Sequence, residues 1–592
     1  MSAPRPWPSI SPLARFGPVA LVLAVLVGAG VVATVKGDDA DVAVGTESPS
    51  QEDAEGFGAD PRLPVTYADA QDDGAVDDFD WGEHCDSSTG RLAIPSVYSP
   101  PCVPVWEGDE PWVNASGETV TDNGGETAPG VTADTITVAY YVASPQDLIS
   151  SAQALGIFDP NDVALRGVED LVAQGNGMYE LYGRQVELVP FQASGDGKNP
   201  STARADARKV AEEIGAFASI GGPTQTAAYQ DELARRGVLC IACGYATPDQ
   251  AYQDDAPYAW GQLASPDQLI TGVLDFGVKN LAGGTAQFAG DPAMHDKKRV
   301  FGLVNYEQDP PVFADLKKRL TERYRRQGFE AEVTIDYLLD MPSLPTQAAG
   351  IISTLKREGV TSVVFAGDPL MPIYLTEQAT KQDYFPEWII TGTVFTDSTA
   401  AGRLYDREQW AHAFGASALP ARTEPQYSEP WRLYEWWYGE EPEATKTLPL
   451  FGPVVDHLFR GIHLAGPELT AETFAGGMFN YPVSGGGPTT PQISFGFQGQ
   501  FEDADYVGVD DFTVVWWDAE AVGPDEQNVE GKGMWRYVEG GERLLLGDVR
   551  ELDEDLLFQD TEDAVAIYEE VPASDQTPAY EPWDESPAAG GG

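Results

Sequence analysis

From Ile136 onward the chain alternates β-branched runs with amphipathic stretches, and this alternation constrains its fold more than any other feature. "ITVAYYV" (Ile136–Val142) reads as a strand, because branched and aromatic side chains suit a pleated, half-buried surface. "VALRGVEDLVAQGN" follows with Leu165, Val168 and Val172 at helical spacing and Gly175 beyond its expected end. "VELVPF" (Val186–Phe191) is a second strand, and a helix opens near Pro200 with Val210, Ile214 and Phe217 inward. "ASIGG", the helix "TAAYQDELARRG" and the strand "VLCIAC" complete a βαβαβαβ series. That series implies a parallel sheet with helices on both faces. The rhythm restarts after Ser265. "KRVFGLVNY", "EAEVTIDYLL", "VTSVVFAG" and "EWIITG" are strands, and the stretches between them read as helices. The fold class expected is therefore α/β, with two doubly wound parallel-sheet lobes. Ala421 to about Asn480 is helical, and "QISFGF", "DFTVVWW" and "GMWRYVEGGERLLLG" read as short strands.

The ends differ in texture. Phe16 to Val35 is an uncharged apolar run long enough to span a bilayer, preceded by Arg5 and Arg15 and followed by acidic residues. Residues 1–36 are read as a signal anchor, or as a cleaved signal peptide. The remainder is then extracytoplasmic, tethered to the membrane through residues 16–35 or secreted, and disulfides are permitted. Residues 37–130 read as an acidic linker with a small Cys/Trp patch, in which Cys85 and Cys102 can close a short loop. Residues 551–592 read as an acidic, mobile tail. The formal net charge of −58 disfavours nucleic acid as a partner and indicates a strongly solvated surface.

No catalytic motif emerges. There is no G-x-x-x-x-G-K-[ST], no H-E-x-x-H and no G-x-S-x-G; "GASAL" (Gly415–Leu419) fails at its last position. The five His are scattered and read as ordinary core and surface positions. The acidic stretches Asp159–Asp162 and Asp503–Asp511 lack the EF-hand pattern and read as solvated loops rather than Ca²⁺ sites. No catalytic residue, metal or cofactor is expected. Parallel sheets bind ligands at the carboxyl ends of their strands. Three loops in the first half hold that position: "YYVASPQD" with Tyr141 and Ser144, "GGPTQTA", and "CGYATPD". "NYEQDPP", "AGDPLMP" and "TGTVFTD" hold it in the second half. They offer hydroxyls, backbone amides and aromatic faces, which is recognition chemistry without a nucleophile–base pair.

Cys240 and Cys243 in "GVLCIACGYATP" form a C-x-x-C. A redox pair sits at a helix N-terminus, where the thiol pKa falls; these two lie in and at the end of a strand. A zinc half-site would need a second close pair. The reading is a local disulfide that fixes the turn, with two free thiols as the alternative. It requires the strand to break at Cys243, which Gly244 permits.

Several stretches resemble type I periplasmic binding proteins, the branched-chain amino-acid-binding solute receptors of ABC transporters, with an actinobacterial texture. They are "APGVTADTITVAYYVA", "ASGDGKNPSTARADARKVAEE", "FASIGGPTQTAAYQDELARRGVLCIACGYATPD", "RVFGLVNYEQD" and "VTSVVFAGDP". The resemblance covers roughly Gly130 to Leu545. It implies two lobes joined by a three-crossover hinge and closing on a small polar molecule: an amino acid, an amide or a short peptide-like compound. Carried residue by residue, it implies ligand contacts at Thr224, Gln225 and Thr226, at Gly244, Tyr245, Ala246 and Thr247, and at Tyr306, Asp309, Asp368 and Thr393. Asp397 is the nearest candidate for an acid meeting an amino group. The implied partner is an ABC permease; the alternative is a membrane-tethered sensor or scaffold with the same fold. The division expected is lobe 1 over 131–264 and 420–490, and lobe 2 over 265–419 and 491–550.

Overall fold

A computed structural model describes residues 60–108, 111–145, 153, 158–223, 226–244, 247–307, 313–498, 503–547, 549–552, 556–559 and 563–589. The apolar run at 16–35 lies outside them. Among the described residues no helix is long and apolar enough to cross a membrane.

The first lobe is built from β1 (Thr135–Val142), α1 (Asn161–Met178), β2 (Gln185–Gln192), α2 (Pro200–Lys209), β3 (Ala218–Ile220), α3 (Ala228–Ala234), β4 (Leu239–Ile241), α4 (Asp249–Asp254) and β5 (Ala259–Trp260). The strands form an all-parallel sheet in the order β2-β1-β3-β4-β5. Local chemistry starts these helices where the sequence suggests. Asn199 accepts hydrogen bonds from the amides of Ser201 and Thr202, and Pro200 occupies the first turn of α2. Helix α1 departs from expectation. It runs through Gly175 to Met178, because Gly175 is an interior contact rather than a stop: a Cβ there would lie 2.4 Å from the Phe459 ring.

The second lobe contains α5 (Pro266–Phe276), β6 (Phe301–Glu307), α6 (Ala314–Arg326), β7 (Ala331–Leu338), α7 (Leu344–Arg357), β8 (Ser362–Ala366), α8 (Met371–Lys381), β9 (Glu387–Ile390) and β10 (Ala413–Ser417). The chain then returns to lobe 1 with α9 (Glu429–Tyr438), α10 (Leu448–Ala465) and α11 (Ala471–Asn480). It finishes the second sheet with β11 (Asp511–Pro524), β12 (Glu530–Tyr537) and β13 (Leu544–Leu545). The order is β7-β6-β8-β9-β10-β11-β12, parallel as far as β10 and antiparallel beyond, with β13 on β11. The chain thus crosses between lobes three times: at 261–265, after Ser417 and before Asp511. This is the expected two-lobed α/β architecture.

Three expected boundaries are corrected. Residues 491–509 were assigned to lobe 2, but Phe495, Tyr506 and Val507 pack in the lobe 1 core. The Tyr506 ring lies 4.9 Å from that of Trp260. The stretch makes only isolated bridges, and one of them, Gly261 to Val507, pairs the first crossover with the third. The acidic linker is, from residue 60 onward, a folded wrap on lobe 1. Tyr67, Leu92, Ile94 and Val103 join its core, and Cys85 and Cys102 form a disulfide. Nor is the described part of the tail a solvated end. Tyr537 donates to the Val565 carbonyl, Tyr568 to that of Arg422, and Thr489 to the Asp575 carboxylate. Tyr580 and Trp583 bond to Asp86 and to the Ala93 carbonyl. The tail therefore ties lobe 2, the second crossover, lobe 1 and the N-terminal wrap together. Trp583, 7% exposed between Trp436, Trp437 and His84, is its anchor. Replacing Trp583 with Ala should lower unfolding stability by about 3–5 kcal/mol, the range for truncating a buried aromatic, measured by urea denaturation.

Candidate functional site

In each sheet the first strand in sequence has neighbours on both sides, so the crossovers leave it in opposite directions. Ligands of open α/β sheets bind in the crevice beyond the strand ends at such a switch point. In lobe 1 this point lies beyond β1 and β3, and in lobe 2 beyond β6 and β8.

At the lobe 1 point, Gly221 donates to the Ile241 carbonyl, which draws the loop after β3 against the end of β4. A Cβ on Gly222 would lie 2.3 Å from the Cys243 carbonyl oxygen, so only glycine allows this approach. Cys240 and Cys243 form a disulfide, and both are buried. The strand breaks one residue earlier than expected: Ala242, with φ +54°, takes the left-handed turn. The C-x-x-C is thus a structural brace behind the two loops. Thr226, half-buried, accepts a hydrogen bond from the Ala228 amide, and Gly244 is half-buried nearby. Thr224, Gln225, Tyr245 and Ala246 lie outside the described residues.

Three expected contacts of this lobe are used internally. The Tyr141 ring is buried 5.0 Å from that of Tyr229, beneath α2 and α3. Ser144 donates to the Gly195 carbonyl. Thr247 is buried with its hydroxyl against Tyr252. A strand alternates its faces, so Tyr141 points into the core while Tyr140 meets Phe451.

The lobe 2 switch point holds a partly open depression. Its lining includes Asn305, Tyr306, Phe313, Leu316, Thr393 and Val394. Tyr306 is half-buried, and burial pushes its phenol up to about 12, so it stays neutral. Thr393 lines the depression, but its hydroxyl donates to the Gly367 carbonyl and accepts from the Gly367 amide. Asp368 is buried and serves its own helix: it accepts from the amides of Leu370 and Met371 and from the Tyr337 hydroxyl. Asp397 is likewise internal, accepting from Ser417 Oγ at 2.5 Å, and burial raises it to about 7. Asp309 lies outside the described residues. Of the expected lobe 2 contacts, then, Tyr306 and Thr393 reach the depression and Asp368 does not. Asn305, Phe313, Leu316 and Val394 were not foreseen. Asn305 had a signal: it is a polar residue inside the apolar strand "FGLVNYE".

The hinge carries its own electrostatics. Arg543 joins the second crossover to the third, donating to the carbonyls of Ala418 and Leu419 and to Asp511 Oδ1 at 2.7 Å; both side chains are buried. The stretches read as solvated acidic loops are solvated only in part: Asp162 and Asp503 are exposed, while Asp159, Asp505 and Asp510 are buried. Asp159 Oδ2 accepts from the amides of Lys446 and Thr447 at the start of α10. Asp505 and Asp510 are buried within hydrogen-bonding reach of each other. Asp505 accepts from the Val507 amide and Asp510 from Ser494 Oγ, which leaves Asp505 Oδ2 and Asp510 Oδ1 without a donor. Burial, then mutual repulsion, holds Asp505 well above the carboxylate range; burial raises Asp510 to about 7. The pair titrates as a unit.

Solved structures similar to this chain include three binding proteins. One is a solute-binding protein of an ABC transporter from Rhodopseudomonas palustris HaA2 in complex with p-hydroxybenzoic acid, with 10% identity, a TM-score of 0.47, and 70% of this chain and 98% of that one covered. A second is a leucine-, isoleucine-, valine-, threonine- and alanine-binding protein from Brucella ovis, with 10% identity, a TM-score of 0.48, and 74% and 100% covered. The third is a substrate-binding protein of an ABC transporter from Aeropyrum pernix, with 13% identity, a TM-score of 0.46, and 71% and 97% covered. No family model and no curated protein matches the sequence.

Two outcomes follow from the hinge. Arg543→Ala strands Asp511 as a buried, unpaired charge and should cost about 3–5 kcal/mol of stability by denaturant titration. The raised carboxyls of Asp505 and Asp510 favour the folded state when protonated. Their contribution should be lost as pH rises from the ordinary carboxylate range through about 7. Asp510→Asn should therefore raise the melting temperature at pH 8 and flatten its decline above pH 5.

Proposed function

We propose that this chain is an extracytoplasmic solute-binding protein. Its lobes close on a small polar molecule, an amino acid, an amide or a short peptide-like compound, and deliver it to an ABC importer in the membrane. Residues 16–35 would hold it at the membrane surface. One observation carries this reading. Each of two doubly wound sheets ends in a switch-point surface, and three short crossovers join the two lobes. Such a connection restricts the lobes to hinge closure, which couples to a ligand through contacts that form only in the closed state. In this reading the described ends of the two lobe 1 loops, at 221–223 and 243–244, border the lobe 1 wall, and the depression at Tyr306 supplies the lobe 2 wall.

The test is native mass spectrometry of the purified full chain, followed by thermal-shift screening with amino acids, amides and short peptides. A ligand at 100 times its Kd stabilises the folded state by about 2.7 kcal/mol, so at least one solute should raise the melting temperature by several degrees. Tyr306→Ala and Thr226→Ala should each weaken that solute's binding about tenfold by calorimetry, while the ligand-free protein stays folded. If no solute in the panel shifts the melting temperature, the proposal fails.

A further inference from the structure

The lobe 2 depression has a chemical bias that narrows the ligand, given that the two-lobe receptor reading holds. Its walls are apolar and aromatic: Leu269, Ile270, Phe313, Leu316 and Val394 surround the Tyr306 ring, which lies 6.0 Å from that of Phe313. The cation on the wall is already neutralised, since Lys317 Nζ lies 2.6 Å from Glu307 and 2.9 Å from Asp336. No carboxylate lines the depression among the described residues: Asp368 is committed to internal donors, and Asp397 is buried away from it, one oxygen accepting from Ser417 and the other without a donor. The exception to this neutrality is one polar group. Asn305 is 6% exposed on β6, and its Nδ2 has no hydrogen-bond partner although it is buried. A buried donor left unpaired costs about 1–3 kcal/mol, and an incoming acceptor recovers that cost.

We propose that the end of the ligand facing lobe 2 is an uncharged hydrogen-bond acceptor on an apolar body of aromatic or branched size, and that Asn305 Nδ2 donates to it. Among the described residues a ligand ammonium finds no anion on this wall, and a ligand carboxylate finds no unpaired cation. An amide or ketone oxygen satisfies Asn305 and leaves the apolar surface covered. Asn305 is thus the specificity determinant of this lobe, and lobe 1 meets the ligand's other, more polar end.

Four matched probes separate the possibilities: phenylacetate and its 4-acetyl, 4-aminomethyl and 4-carboxy derivatives. All four share a carboxylate for the end that faces lobe 1. Calorimetry on the full chain should find the 4-acetyl compound bound about tenfold more tightly than phenylacetate, and the two compounds with a charged 4-substituent bound more weakly than phenylacetate. Asn305→Leu should abolish the acetyl advantage, so that the 4-acetyl compound binds no more tightly than phenylacetate. Asn305→Asp should transfer the preference to the 4-aminomethyl compound, an effect that loss of folding does not produce. Tightest binding of either charged compound by the native protein overturns the inference. So does an acetyl advantage that survives Asn305→Leu. If none of the four binds while an amino acid or peptide of the wider panel does, the receptor reading stands and the assignment of Asn305 falls. If no solute of either set binds, both fall.

Discussion

The buried clamp of Arg543 on the hinge is the interaction on which the two-lobed arrangement depends. A guanidinium presents five donors in a fixed fork, and here they hold two carbonyls of the second crossover and a carboxylate of the third. Those crossovers belong to segments some 90 residues apart in the chain, Ala418–Leu419 and Asp511. Without the clamp, each would leave lobe 2 with an unpaired polar group in a dry interface. Gly261 and Val507 pair the first crossover with the third. The three passages therefore form one connected strip.

The same strip concentrates charge that water does not screen. Asp505 and Asp510 meet within it, and their donorless oxygens make it sensitive to proton activity. The tail adds a second tie on the hinge, since Tyr568 bonds to Arg422 in the second crossover before Trp583 docks beside the N-terminal wrap.

Much of the architecture was legible because hydrophobic periodicity reports on burial directly. Alternating strand and helix patterns gave both sheets, their parallel direction and the point at which the second lobe begins. The pattern failed where burial is irregular. Residues 491–509 have strand-like texture, but they pack as loops around Trp260. The tail looks disordered by composition, yet Tyr568, Tyr580 and Trp583, spaced among its acids, are enough to dock it. The described strand ends fall where period and turn chemistry put them, whereas several of the side chains expected at a ligand are bonded within the protein. Tyr141, Ser144, Thr247 and Asp368 all have the chemistry of ligand contacts. Each instead satisfies a backbone group or fills the core, because buried main-chain polar groups compete for the same hydroxyls and carboxylates.

The sequence alone determined the fold class, the order of the lobes and the loops that a ligand would meet, because period and turn chemistry are local properties of the chain. It also set aside a redox role for Cys240 and Cys243, since a strand is not a setting that activates a thiol, but left two free thiols open beside the disulfide that the structure shows. Which polar groups remain free for a ligand was decided only by the tertiary structure. Thr393 is spent on Gly367, and Asp368 on the amides of Leu370 and Met371 and on Tyr337. Asn305, one strand position from the tyrosine that reads as the obvious contact, is left with an unpaired donor. Whether a polar side chain is available depends on donors and acceptors brought to it from distant segments, and no local pattern records them.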